Sequence, residues 1–179
     1  DGMNEKGLAI AMAAVGPGNM EEDPDKDRIG SLGIIRLVLD SAATVDEAVV
    51  LLSSYNIGFE GGPALHYLIG DRAGDVVLVE FHEGSIHVIR SDTNWYQASN
   101  FIESASDSPH GRCSRYDRVA EELSDRKGDL DFESAFSLLE EVAQIDTRWS
   151  VVYNQSSGEI RVVMGKSYEQ VHAFELADD

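Results

Sequence analysis

The chain has 179 residues and a formal net charge of −19, from 33 acidic and 14 basic residues, and 42% of it is hydrophobic. This length suits one domain with an ordinary core, and the shortage of Lys and Arg argues against nucleic acid or an anionic membrane as a partner. Every apolar run is far shorter than the ~20 residues that span a bilayer. The single cysteine excludes an internal disulfide framework, and a cytoplasmic location is the favoured expectation.

Turn residues and apolar periodicity divide the first third of the chain into predicted elements. Asn4 and Gly7 are spaced as in a hairpin turn with the glycine at positive φ. Thr44 and Glu47 form a capping box at the start of a helix. In chain order we expect a strand pair over 1–15, a loop over 16–30, a helix over 31–43, a second helix through about Ser54 and a Gly-rich loop over 55–63.

The remainder predicts an antiparallel meander, two helices and a return to strands. The density of Val, Ile, Tyr and Phe between short turns favours antiparallel pairing. The predicted strands are LHYLIGD, DVVLVEF, SIHVIRSD and WYQASN, followed by helices whose apolar faces begin at Tyr116 and Phe132, and then by WSVVYN, EIRVVMG and VHAFEL. Runs of strands segregated from runs of helices indicate an α+β fold, with antiparallel sheets and helices outside them.

Two short polar motifs stand in apolar surroundings. Ser99-Asn100-Phe101 ends a predicted strand, and Ser114-Arg115-Tyr116 starts a predicted helix. An Asn amide and an Arg guanidinium are directional donors, and neither is a nucleophile. They indicate the supporting half of a hydrolytic site whose attacking group lies elsewhere. Two structural alternatives stay open: Asn100 capping its own turn, and Arg115 in an ion pair with Glu122 or Asp117.

Cys113 offers a second kind of chemistry. The neighbouring Arg112 and Arg115 would lower the pKa of its thiol, and His110 lies close enough in sequence to act as a base. A small half-buried cysteine at a helix start is the safer interpretation of this residue.

An acidic loop and five histidines raise the question of a metal. Asp23, Asp25 and Asp27 alternate as in a calcium loop, but Arg28 and Ile34 occupy the positions that require Gly and Glu. The histidines have no metal-ligand spacing. We therefore expect a solvated acidic loop, no metal and no cofactor.

Several segments together resemble the choloylglycine hydrolase superfamily: DGMNEKGL followed by small apolar residues, LHYLIGDRAGDVVLVEFHEGSIHVI, and then SNF and SRY. That group includes penicillin V acylases, conjugated bile salt hydrolases and relatives of the acyl-coenzyme A:6-aminopenicillanate acyltransferase. The resemblance implies the N-terminal-nucleophile (Ntn) fold, four αββα layers with two antiparallel sheets face to face. It also implies that 1–179 is a single domain that lacks its first strands.

The same resemblance implies roles for three residues. Asn100 matches the Asn whose amide donates to the oxyanion of the tetrahedral intermediate, and Arg115 matches the Arg that helps keep the nucleophile's α-amine deprotonated. Ala14 matches the position of the second oxyanion donor, where only its backbone N–H can serve. The family nucleophile is a Cys at the processed N terminus, and the resemblance implies that it precedes the part of the fold that residues 1–179 form. Cys113 does not match this nucleophile. The chain by itself is therefore expected to be inactive.

The implied activity is hydrolysis of a linear amide C–N bond in a small N-acyl amide, with the missing N-terminal segment as the second partner. Acyl transfer to an amine and a non-catalytic binding domain stay open as alternatives. The short stretch between Asn100 and Arg115 argues against the tetramer of bile salt hydrolases and against bile salts as substrate, while another homo-oligomer stays open. Substrate selection is expected in the loops at 16–30, 55–63 and 101–111.

Overall fold

The computed structural model describes residues 1–16, 18 and 20–177, so Pro17 and Asn19 of the predicted loop over 16–30 lie outside the described residues. The described strands are β1 (Gly2–Met3), β2 (Ala9–Ala14), β3 (Arg28–Gly30), β4 (Asn56–Gly58), β5 (Leu65–Gly70), β6 (Val76–His82), β7 (Ser85–Arg90), β8 (Trp149–Tyr153), β9 (Glu159–Met164) and β10 (Val171–Glu175). The described helices are α1 (Ser31–Ser41), α2 (Val45–Ser53), α3 (Ser114–Asp125) and α4 (Phe132–Glu141). Among them, none is long and apolar enough to cross a membrane.

The main sheet has the order β1-β2-β5-β6-β7 and is antiparallel throughout. The predicted hairpin joins β1 to β2, and Gly7 has a φ of +80° as expected. The first three strands of the predicted meander are confirmed, because β5, β6 and β7 are neighbours both in the chain and in the sheet. One face of this sheet buries Tyr67, Ile69 and Val79 in a core shared with α1 and α2.

A second antiparallel sheet has the order β10-β9-β8 and confirms the strands predicted for the last third of the chain. Helix α4 packs against β8. The ring of Phe136 lies 6.5 Å from that of Tyr168, and the Arg161 guanidinium lies 3.9 Å from the centre of the Phe132 ring. Two antiparallel sheets with helices on their faces confirm the predicted α+β class.

A parallel strand pair replaces part of two predicted loops. β3 and β4 run side by side with Arg28 opposite Asn56. The Asn56 side chain supports the start of the pair, since its Nδ2 donates to the carbonyl of Asp23 at 2.7 Å. The loop predictions over 16–30 and 55–63 are therefore wrong at these strands, because a three-residue strand is too short to produce a readable alternation.

Residues 95–100, predicted as a fourth strand of the meander, are irregular. The hydroxyls of Ser91 and Thr93 donate to the carbonyl of Trp95 at 2.7 and 2.8 Å. These side chains occupy an acceptor that a strand would offer to its neighbour, so the strand prediction is wrong. Asn100 therefore stands on an irregular segment, whose position depends on side-chain contacts.

The capping box predicted at the start of α2 is confirmed, with one change. Thr44 Oγ1 accepts from the N–H of Glu47 at 3.2 Å, as expected. The Glu47 carboxylate bonds the N–H of Ala43 at 2.7 Å, one residue before the capping position. Two otherwise unpaired backbone donors at this end of the helix are thus satisfied.

Asn4 ties the first hairpin to the end of α1. Its buried Nδ2 donates to the carbonyls of Leu39 and Ala42 at 3.0 and 2.7 Å. Its Oδ1 accepts from the N–H groups of Lys6 and Leu8 at 3.1 and 3.0 Å. The amide therefore organises the turn and also satisfies carbonyls at the C-terminal end of a helix.

We expect Asn4→Ala to lower the free energy of unfolding by about 2–3 kcal/mol, because it leaves buried backbone groups without partners. Urea denaturation of the two proteins measures the difference. The matched control is Asn94→Ala, which removes a single exposed hydrogen bond to the Lys127 carbonyl and should cost less than about 0.5 kcal/mol. Equal losses in the two variants would contradict the special role of Asn4.

Candidate active site

Asn100 connects strand β2 to helix α3. Its Nδ2 donates to the carbonyl of Ala14 at 2.8 Å, across 86 residues of sequence. Arg115 Nη2 donates to Asn100 Oδ1, also at 2.8 Å. The three residues that the sequence nominated thus form one continuous hydrogen-bonded chain, and the Asn100 side chain bonds across the fold instead of capping its own turn.

Ala14 presents its backbone to the edge of β2 that faces away from β5. The N–H of Val15 donates to the carbonyl of Ala64 at 2.9 Å, which makes these two a hydrogen-bonded pair of the ladder. Since such pairs alternate, Ala14 opposite Leu65 is a non-hydrogen-bonded pair, and its N–H and C=O point away from β5. The Ala14 N–H therefore faces the side from which the Asn100 amide approaches the Ala14 carbonyl.

Arg115 determines which end of the Asn100 side chain carries the donors. A guanidinium only donates hydrogen bonds, so the atom that faces it is the amide oxygen. The amide nitrogen then points at Ala14 and has two N–H groups, of which one is used by the Ala14 carbonyl. Asn100 is exposed, and among the described residues its second N–H has no hydrogen-bond acceptor.

The acids considered as ion-pair partners of Arg115 are engaged elsewhere. Glu122 accepts from Arg118 at 2.8 Å, and Asp117 accepts from the N–H of Gly111 at 3.1 Å. The ion-pair alternative is therefore not realised in the described residues. The guanidinium of this half-buried residue is committed to the amide instead.

Cys113 is the capping residue of α3 and lies half-buried, with its Sγ 3.3 Å from the Ser99 hydroxyl. Burial raises the pKa of the thiol, but the hydrogen bond with Ser99 and backbone N–H groups at the start of α3 outweigh it, so the pKa lies below its usual range. The Nδ1 of His110, considered as a base, lies 3.3 Å from Asp117. Cys113 is thus the half-buried residue at a helix start that the sequence predicts, and its lowered thiol pKa is a property that it shares with reactive cysteines.

A fully buried carboxylate, Glu80 on β6, joins the main sheet to the segment that follows Asn100. Its Oε1 accepts from the N–H of Glu103 at 2.8 Å, and its Oε2 accepts from the N–H and hydroxyl of Ser104 at 2.8 and 2.6 Å. His66 Nδ1, on the adjacent strand β5, lies 3.2 Å from Oε1. Burial raises the pKa of Glu80, but these hydrogen bonds outweigh it and lower the pKa to about 2.

Sequence reasoning missed Glu80, although a signal was present. In VVLVEF this carboxylate stands between Val79 and Phe81, in a run whose other residues are all apolar and mostly buried. A charge in such a strand must be paired or hydrogen-bonded, because an isolated buried carboxylate is too costly. The pattern therefore indicates a buried anchor, but it does not identify the partners.

A second buried carboxyl, Glu103, lies beside the first. The Tyr96 hydroxyl donates to its Oε2 at 2.9 Å. Burial raises the pKa of Glu103 against the effect of this hydrogen bond, and the charge of Glu80 raises it further. The two carboxyls thus differ, since one is held ionised and the ionisation of the other is disfavoured.

The acidic loop considered for calcium folds onto itself. Asp23 Oδ1 accepts from the N–H of Asp25 at 3.0 Å, as in an Asx turn. Across the described residues, no three His, Cys, Asp or Glu side chains converge as a metal site requires.

A pocket of about 300 Å³ opens beside Arg115. Its walls are largely apolar and include Leu68 of β5 and the sides of α3 and α4. Its described lining residues fall outside the loops at 16–30, 55–63 and 101–111 that the sequence nominated for substrate selection. The role of those loops stays a prediction.

The lowered pKa of Glu80 has a consequence for acid stability. The carboxyl has an ordinary pKa of 4.5 and a folded pKa of about 2, so it stabilises the fold above about pH 5 and loses this contribution as the pH falls towards 2. We expect the free-energy difference between the wild type and Glu80→Gln to shrink by about 3 kcal/mol over this range. Urea denaturation at stepped pH measures it, and a difference that is independent of pH would contradict the ionised state of Glu80.

Solved structures share this architecture. A mutant of the conjugated bile acid hydrolase from Clostridium perfringens superposes with a TM-score of 0.75 and 19% identity, over 98% of this chain and 72% of that chain. The penicillin V acylase from Agrobacterium tumefaciens gives a TM-score of 0.70 and 19% identity, over 98% of this chain and 65% of that chain. At this identity the likeness is one of fold, and it confirms the predicted Ntn-hydrolase fold.

A match to a family model extends the comparison from fold to sequence. The model of the acyl-coenzyme A:6-aminopenicillanic acid acyl-transferase matches residues 1–166. This range contains strands β1 to β9, all four helices and the hydrogen-bonded chain from Arg115 to Ala14. The protein therefore belongs to the acyl-coenzyme A:6-aminopenicillanic acid acyl-transferase family.

Proposed function

We propose that the protein hydrolyses a linear amide C–N bond in a small N-acyl amide, using a cysteine at the mature N terminus of a segment that precedes residue 1. The observation that carries this proposal is the hydrogen-bonded chain of Arg115, Asn100 and Ala14 at the edge of β2. The proposal is supported by two N–H groups on the same side of β2, one from the Asn100 side chain and one from the Ala14 backbone. Such a pair suits a developing oxyanion.

In the proposed reaction, the cysteine thiol attacks the amide carbonyl and its proton passes to the cysteine's own α-amine. The carbonyl oxygen becomes an oxyanion that accepts from the free N–H of Asn100 and from the N–H of Ala14. The C–N bond then breaks, and the proton leaves with the amine product. Water hydrolyses the remaining thioester to a carboxylic acid and regenerates the thiol.

Arg115 has two functions in this scheme. Its hydrogen bond to Asn100 Oδ1 keeps the amide from flipping, so that N–H groups and not a lone pair face the oxyanion. Its positive charge also disfavours the ammonium form of a nearby α-amine, which keeps that amine available as a base.

Acyl transfer to an amine is the second candidate, and membership of an acyltransferase family favours it. The two reactions share the thioester and differ only in what attacks it. Product analysis at a low concentration of a primary amine distinguishes them, because a transferase converts most of its thioester to the new amide and a hydrolase converts most of it to the free acid. The oxyanion donors serve both reactions equally.

We expect Asn100→Ala to lower kcat by about 10²–10³-fold, because one oxyanion donor is lost. Turnover of a panel of N-acyl amides by the full-length protein measures the effect, and circular dichroism checks that the fold is intact. The matched control is Asn94→Ala, whose amide bonds only the exposed Lys127 carbonyl and which should retain wild-type turnover. Near-normal activity in Asn100→Ala would overturn the role of this donor.

The nucleophile is tested by intact-mass and N-terminal analysis of the protein expressed from its full native gene. We expect a mature chain that begins at a Cys several tens of residues before Asp1, and a mass increase by one acyl group when the enzyme is quenched during turnover. An upstream segment without a Cys would replace the amidase proposal by a non-catalytic binding domain.

A further inference from the structure

Asn100 lies on a segment that has few backbone constraints of its own. Residues 95–100 form no strand, and the side chain of Asn100 is exposed. Upstream, Ser91 and Thr93 organise only the turn at Trp95. Contacts from other side chains therefore hold this part of the chain near the main sheet.

The chain that directly follows Asn100 is bonded by Glu80. Three of its hydrogen bonds come from the backbone of Glu103 and from the backbone and hydroxyl of Ser104, at 2.6–2.8 Å. Bonds to a buried ionised carboxylate are short and about twice as strong as bonds between neutral groups. Glu80 is thus the point at which the chain following Asn100 is attached to the sheet.

Glu80 lies in a row of paired residues that crosses the main sheet beside Ala14. In this row Ala13 of β2 is opposite His66 of β5. The register between β5 and β6 sets His66 opposite Glu80, and Glu80 pairs with His87 of β7. Ala14, whose carbonyl accepts from Asn100, is the residue next to this row. The main sheet therefore contains both Glu80, which bonds the chain after Asn100, and the Ala14 carbonyl, which accepts from Asn100.

Resting on the proposed function, we infer that Glu80 is a positioning residue that acts through Asn100: its carboxylate, oriented by His66, holds Glu103 and Ser104 so that the Asn100 amide stays at the Ala14 carbonyl. A carboxylate placed only to stabilise the core would affect folding without a specific effect on Asn100. The two roles predict different effects of Glu80→Gln on kcat when Asn100 is already replaced by Ala.

The test is a double-mutant cycle in the full-length protein. Glu80→Gln keeps the volume but turns one acceptor oxygen into a donor, and we expect kcat to fall about 10- to 100-fold while KM changes less than about twofold. In the Asn100→Ala background the same substitution should change kcat by less than about twofold. Equal fold-losses in both backgrounds would overturn the inference.

Asp71 supplies a matched control. It is also a buried carboxylate at a strand end of the main sheet, and it accepts from the N–H groups of Val45, Ala73 and Asp75 at 2.9, 2.9 and 3.2 Å. Asp71→Asn should lower the melting temperature as Glu80→Gln does, yet leave kcat unchanged. A matching loss of kcat in Asp71→Asn would assign the effect of Glu80 to general destabilisation and overturn the inference.

A readout independent of activity separates this inference from the proposed function. The side-chain amide resonance of Asn100 and the hydrogen-exchange protection of the Glu103 and Ser104 N–H groups should change in Glu80→Gln, while that of Leu8 stays as in the wild type. Unchanged Asn100 and Ser104 signals would overturn the positioning role. Changed signals with unchanged turnover would support positioning and overturn the role of Asn100 in catalysis.

Ser104→Ala keeps the test decisive if Glu80→Gln does not fold. This substitution lies at an exposed residue and removes only the hydroxyl that donates to Glu80 at 2.6 Å. We expect a smaller loss of kcat in the same direction, again absent in the Asn100→Ala background. Wild-type turnover together with a wild-type Asn100 resonance in Ser104→Ala would overturn the inference.

Discussion

The charge of Glu80 is the constraint on which the arrangement around the candidate site depends. A carboxylate with no access to solvent must be met by donors from within the protein. Here the donors are His66 and the residues Glu103 and Ser104, so satisfying one buried charge brings the chain just after Asn100 onto strand β6. The remaining contacts of that segment, including the reach of Asn100 to β2, are made within this frame.

Local signals in the sequence predicted much of the fold. The hairpin at Gly7, the capping box at Thr44 and the β5–β7 meander each depend on residues a few positions apart, so they can be read directly. The failures are of two kinds. The parallel β3–β4 pair requires a contact between distant segments, and the strand predicted over 95–100 is broken by hydroxyl groups that bond the backbone locally.

The residues of the candidate site could be predicted from the sequence, but their contacts could not. Residue chemistry and family resemblance nominated Asn100, Arg115 and Ala14, and the structure brings the three together. Neither residue chemistry nor the family resemblance predicted the hydrogen bonds among them, because the bond from Asn100 to Ala14 joins residues 86 positions apart. Structural neighbours at 19% identity establish the architecture, while the family match extends to sequence. In the proposed function these donors serve hydrolysis and acyl transfer alike.

The chain from Arg115 through Asn100 to Ala14 also has a direction, since each group donates to the next. The guanidinium withdraws electron density from the amide oxygen, and the amide nitrogen becomes more positive in response. Hydrogen bonds coupled in this way strengthen one another by roughly 10–30% per bond. Arg115 therefore polarises the Asn100 N–H groups through the amide oxygen, so a cation makes a neutral amide a stronger donor than it would be alone.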